Sequence, residues 1–138
     1  MSRRLAPVLC LLLTYGALQA QPAPRKEPGW PFFAPDLVFA HEKEIALEDA
    51  QRTYIREEIL KVQPRFTSLQ FQLQDAVEGM TELLKKHPVD ETHVIGQLDK
   101  VLGVERDLKR AQIGLMVRIK NKLTLEQQAR LQALREAK

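Results

Sequence analysis

From Ile55 to Leu83 apolar side chains recur at alternating spacings of four and three: Ile55, Ile59, Val62, Phe66, Leu69, Leu73, Ala76, Met80 and Leu83. Only an α-helix gathers such a set into one stripe, and the stripe is the heptad seam that one helix offers another. The pattern predicts one helix from about Glu48 to Lys86, roughly 60 Å long at about 1.5 Å per residue. Its register runs unbroken across Pro64, so the proline is read as a kink in a continuous helix. His87-Pro88 stops it, because the residue before a proline disfavours helical backbone.

A second long helix follows. Asp90 can cap it, with Val89 and Val94 as a hydrophobic staple, and it should run to about Lys120. Its seam is Val94, Leu98, Val101, Leu108, Leu115 and Ile119. A second apolar row, Ile95, Leu102, Ile113 and Met116, lies about 100° round the same helix. The apolar arc is then roughly 200° wide, twice what one packed face needs. The short connection at 87–89 pairs the two helices as an antiparallel hairpin. One partner cannot cover so wide an arc, so the terminal helix, a second subunit or both must do so. That last helix starts at Thr124 and carries Leu131 and Leu134. Leu60, Pro64 and Phe71 form a small apolar patch off the first seam, suited to a dimer interface or a client site. Glu105 and Gln112 fall within the second seam, where they would hydrogen-bond across the hairpin or line a polar site. Gly96, Gly103 and Gly114 share the charged face and loosen the helix by about 1 kcal/mol each relative to alanine. No strand pattern is present. The expected fold is all-α: a long antiparallel helical hairpin with short flanking helices, assembled as a dimer of hairpins.

The 138-residue chain opens with Arg3 and Arg4, an apolar run from Leu5 to Leu13, and the small-residue stretch Ala17-Leu18-Gln19-Ala20. This reads as a secretory signal over 1–20, cleaved near Ala20. The apolar run is too short to span a membrane and Pro7 interrupts it. Residues 21–35 hold five prolines and read as a linker ending in Trp30, Phe32 and Phe33. Those rings either fold back as a lid or form an exposed sticky arm. Pro35-Asp36 opens a short helical segment, Leu37 to about Lys43, carrying His41; the helical domain is placed at 36–138. The only cysteine, Cys10, lies within the signal, so disulfides and thiolate metal sites are excluded from the mature chain. The net charge of +3 falls to +1 once Arg3 and Arg4 are removed, which does not call for a nucleic acid partner. Enzymatic chemistry is not expected. There is no catalytic triad, cysteine nucleophile or phosphate-binding glycine loop, and Glu57 and Glu58 diverge by about 100° on their helix.

Leu123-Thr124-Leu125-Glu126-Gln127 reads as a capping box, Thr124 capping the helix and Gln127 reaching back to the cap. A degraded copy, Leu47-Glu48-Asp49-Ala50-Gln51, precedes the first long helix, with Glu48 in place of threonine. Over residues 36–135 the pair of motifs, the helical hairpin and the signal resemble the LTxxQ-motif proteins. These are the Spy and CpxP group of periplasmic stress proteins, with zinc-resistance-associated and heavy-metal-resistance branches. The resemblance implies a periplasmic, homodimeric protein that acts by binding. The nearer relative is taken to be the heavy-metal-resistance and sensor branch, reporting to an inner-membrane regulator. The second reading is an ATP-independent chaperone that holds unfolded clients in a basic cradle.

Each reading implies its own residues. A nickel- and cobalt-sensing branch uses two histidines on its first helix, a Glu on the next and His-x-x-x-Met later. His41, Glu58 and Met116 match three of those positions, while Leu37 and Gln112 stand at the other two. The implied cofactor is a transition metal ion: Zn, Ni, Co or Cu. His87, Asp90 and His93 suggest a second metal site shared across a dimer. For client binding, residues 100–122 carry seven basic side chains against two acidic ones. Lys109, Arg110 and Arg118 are the cationic candidates, and Leu60 and Phe71 the apolar ones.

Overall fold

The computed structural model describes residues 29–137. The expected signal peptide, and the linker up to residue 28, lie outside the described residues. The chain divides into two units, Met1–Trp30 and Pro31–Lys138, and the helices all belong to the second. They are α1 (Pro35–Ala40), α2 (Asp49–Leu84), α3 (Glu91–Lys122) and α4 (Leu125–Glu136), with no strand among the described residues. None of these helices is long and apolar enough to cross a membrane.

Helix α2 passes through Pro64 as one element and packs against α3 as an antiparallel pair. Every residue of the heptad seam is buried or half-buried, from Ile55 to Leu83. On α3 the seam behaves likewise, with Val101, Leu115 and Ile119 fully buried. The Asp90 carboxylate caps α3 by accepting the His93 backbone N–H at 3.1 Å. Near the turn the two helices are tied by a side chain: Gln97 Nε2 donates to the Ala76 carbonyl at 2.8 Å. Gly79 makes this reach feasible, since a Cβ there would lie 2.8 Å from Gln97 Nε2.

The main core sits at the other end, where α1 and α4 join the start of α2 and the end of α3. Val38, Ile55, Ile119 and Leu131 are completely enclosed there, with Phe33, Ile45, Leu47, Leu115 and Leu123 around them. Cations fasten the chain that leads into α1. Arg135 donates to the Phe32 carbonyl at 3.0 Å and lies 5.7 Å from the centre of the Phe33 ring. Lys120 donates to the Pro31 carbonyl at 2.8 Å, and Arg56 sits 5.9 Å from the Phe39 ring.

Three expectations need adjusting. The packed body begins at Pro31, within the expected linker, because Phe33 is a core residue at 3% exposure; Trp30 is 47% exposed. The short helix ends at Ala40, leaving His41 as its C-cap. Glu105 is exposed and Gln112 half-buried, the latter accepting from Lys109 Nζ at 3.3 Å. Midway along a two-helix layer the buried stripe is narrow, and Glu105 lies at its edge where water reaches it.

Candidate functional site

The two motif copies meet. Gln51 Nε2 donates to Gln127 Oε1 at 2.8 Å, and Gln127 Nε2 returns a bond to Gln51 Oε1 at 2.9 Å. Both side chains are buried. Each Oε1 also accepts its own helix's cap N–H, from Glu48 at 3.0 Å and Thr124 at 2.9 Å. The remaining protons go to backbone carbonyls, Lys122 at the end of α3 for Gln51 and Ile45 and Ala46 of the turn before α2 for Gln127. Buried amides are stable only when fully partnered, and this pair satisfies itself and both helix starts. Thr124 completes its box by accepting the Gln127 N–H at 3.1 Å. Ala46 presents its carbonyl from a left-handed backbone, φ 50°. Leu47 and Leu123 lie buried beside the pair. The duplicated motif is thus a clasp at the head of the hairpin.

The metal candidates have other engagements. Glu58 is buried, with Lys61 Nζ at 2.8 Å and Arg118 Nε at 2.6 Å. The Lys61 hydrogen bond, aided by the charges of Lys61 and Arg118, holds its carboxyl below the ordinary 4.5. His41 Nδ1 is 3.4 Å from Glu44, and its Nε2 is buried without a hydrogen-bond partner. Met116 is half-buried on α3. At the turn, the cap bond from the His93 backbone N–H, with the His93 ring 2.7 Å from the carboxylate, keeps Asp90 below its usual range. No three His, Cys, Asp or Glu side chains gather as a metal-binding group among the described residues.

The client candidates divide between two faces. At about 100° per residue, Leu60 and Phe71 on α2 share one side of the hairpin with Ile95, Leu102 and Lys109 on α3. Leu60 is 67% exposed, Phe71 64%, Leu102 50% and Ile95 48%. The second apolar row of α3 is therefore uncovered along the shaft, whereas Ile113 and Met116 are half-buried. Around Ile113 the stems of Arg106, Lys109 and Arg110 form the walls of an apolar groove of about 470 Å³. Long basic side chains can offer apolar stems and charged tips together. Arg118 lies on the opposite face, paired with Glu58.

Sequence reasoning missed what that opposite face contains. Arg65 of α2 joins Asp107, Arg110 and Arg118 of α3 around a cleft of about 450 Å³ floored by Val62, Ala111 and Gly114. The signal was present but two-bodied: Arg65 and Arg110 mean little until the antiparallel register sets them across from each other. Gly114 belongs here as well, since a Cβ would lie 3.3 Å from an Arg118 guanidinium nitrogen. Gly96 and Gly103 face open space. In comparisons with known proteins, no family model, curated protein or solved structure matches the chain.

Proposed function

We propose that this protein acts by binding, as an exported, ATP-independent holder of unfolded or partly folded polypeptides. The observation that carries this reading is the uncovered face of the shaft. Leu60, Phe71, Ile95 and Leu102 remain exposed there while Lys109 and Arg106 stand near them. Scattered apolar contacts with cations close by suit a client that is partly apolar and acidic, and they bind without demanding one sequence. The resemblance to the Spy and CpxP group supports the same reading, as does the signal-like start of the chain. A homodimer would extend the surface, and sedimentation of residues 21–138 checks that separately.

The test is suppression of aggregation of an unfolding protein without nucleotide. The wild-type chain should suppress it at near-equimolar ratio, less well as salt screens the cations. Leu60→Gln with Phe71→Gln should lose most of the effect while keeping the helical spectrum, because both side chains are exposed. Full suppression by that variant would remove this face from the reading.

Heavy-metal sensing is the second reading, favoured by one observation: His41 Nε2 is buried with no hydrogen-bond partner. A metal there would have to recruit Glu58 away from Lys61 and Arg118, or use other donors. Calorimetric titration with Zn²⁺, Ni²⁺, Co²⁺ and Cu²⁺ beside His41→Ala tests it. Binding unchanged by the substitution would exclude His41.

A further inference from the structure

We propose that the cleft between α2 and α3, on the face opposite Leu60 and Phe71, binds a small phosphate-type dianion, either free phosphate or a phosphomonoester.

Three arginines line this cleft: Arg65 from one helix, Arg110 and Arg118 from the other. Its single carboxylate, Asp107, is already paired with Arg106 Nε at 3.3 Å, outside the lining. Arg118 is ion-paired with Glu58, its Nε lying 2.6 Å from the carboxylate without hydrogen-bond geometry, and a terminal guanidinium nitrogen lies beside Gly114. Arg65 and Arg110 form no ion pair among the described residues. Like charges brought to one hollow repel, and the usual remedy is a carboxylate set between them. Here the nearby carboxylates, Asp107 and Glu58, are each committed to another cation, so two guanidiniums remain without a counter-charge.

The geometry selects the ligand class. Arginine presents a planar fork of N–H donors that fits two oxygens of a phosphate or a carboxylate. A carboxylate has one such edge and would serve one wall. A tetrahedral dianion offers oxygens in several directions and can accept from Arg65 on α2 and Arg110 on α3 together, matching their combined charge. The cleft exceeds the size of one phosphate, so an organic substituent is accommodated. A Cβ at Gly114 would lie 3.3 Å from an Arg118 guanidinium nitrogen, which would have to give by a few tenths of an ångström. Client binding rests on Leu60 and Phe71 of the other face and shares Arg110 with this cleft, so Arg65→Gln alone separates the two readings.

Titration of the ¹⁵N-labelled mature chain with inorganic phosphate, at constant ionic strength with chloride as control, tests the site. The expected result is saturable shifts confined to amides around 62–65 and 107–118, with a dissociation constant in the range of about 1 mM or tighter. Arg65→Gln with Arg110→Gln should weaken binding at least tenfold. Both side chains are exposed, and an unchanged helical spectrum certifies the fold. Glycerol 3-phosphate is the second arm. Tenfold tighter binding than phosphate identifies a phosphomonoester as the ligand, and equal or weaker binding identifies free phosphate. Shifts that never saturate, spread over all basic segments, or survive the double substitution overturn the proposal.

Discussion

The head and the shaft of this hairpin are built from the same two helices and end in different states. At the head, α1 and α4 close over the α2–α3 pair, and Val38, Ile55, Ile119 and Leu131 lose all contact with water. Along the shaft only two helices are present, and the best-covered hydrophobic residues there, Leu69, Ala76 and Val101, still keep 7%, 9% and 6% exposure. A pair of helices has a line of contact and no interior, so each side chain keeps one flank in solvent. Two flanking segments turn that line into a volume. The difference explains why the apolar residues on offer for binding lie on the shaft, and why the polar clasp lies at the head, where an unpaired amide would be most costly.

The largest contrast should appear on truncating the core. Ile119→Ala should cost about 2–5 kcal/mol, since its site is enclosed and cannot collapse easily. Val101→Ala in the shaft should cost only about 1.5 kcal/mol, two methyl groups at about 0.8 each. Urea denaturation of both variants gives the comparison, and equal losses would mean that the shaft is as tightly built as the head. Amide exchange sharpens it further: amides flanking Ile119 should be protected nearly to global unfolding, those near Leu84 and Ile95 much less.

The clasp comes next. Gln127→Ala takes one partner from each end of the Gln51 amide, leaves the Thr124 N–H and two loop carbonyls without theirs, and should cost about 1–3 kcal/mol. Replacing both glutamines by leucine should cost less than the two single losses added together, because the partners depend on each other. Strict additivity in that cycle would show that the reciprocal bonds contribute little.

Glycines on the shaft offer a smaller, opposite effect. Gly103→Ala, facing open space, should stabilise by up to about 1 kcal/mol. Gly79→Ala should gain less or lose outright, because its Cβ would displace Gln97 from the Ala76 carbonyl. Thermal melts of the two variants side by side read this difference.

The smallest effect is electrostatic. Glu58 is held below its ordinary 4.5, so its pairing with Lys61 and Arg118 contributes fully above that pH. The contribution is lost as pH falls through the lowered value of the folded state. Both cations are substantially exposed, so solvent screens the effect. Wild type should lose more stability than Glu58→Gln on acidification below about pH 4.5. Parallel pH profiles for the two proteins would remove Glu58 as a contributor.

The long helices, their antiparallel pairing and their caps were all legible in the residues. Each rests on local periodicity or on a cap whose partner lies three positions away, as with Asp90 and His93 or Thr124 and Gln127. The meeting of Gln51 with Gln127 was not legible. The motif copies could be seen, but each cap explains its own glutamine without the other, and 76 positions separate them. Glu58 illustrates the same limit. Its position on α2 can be read from the sequence, yet its commitment to Arg118 depends on the register between α2 and α3.

Hydrophobic period and capping chemistry act within a few residues, so an all-helical chain with one long seam on each of two helices follows from the order of the residues. Which apolar rows are covered, which glycines make room and which arginines line one cleft follow from the packing of the helices. Those outcomes depend on distances between residues far apart in the chain, set only when α2 and α3 settle into register and α1 and α4 close one end.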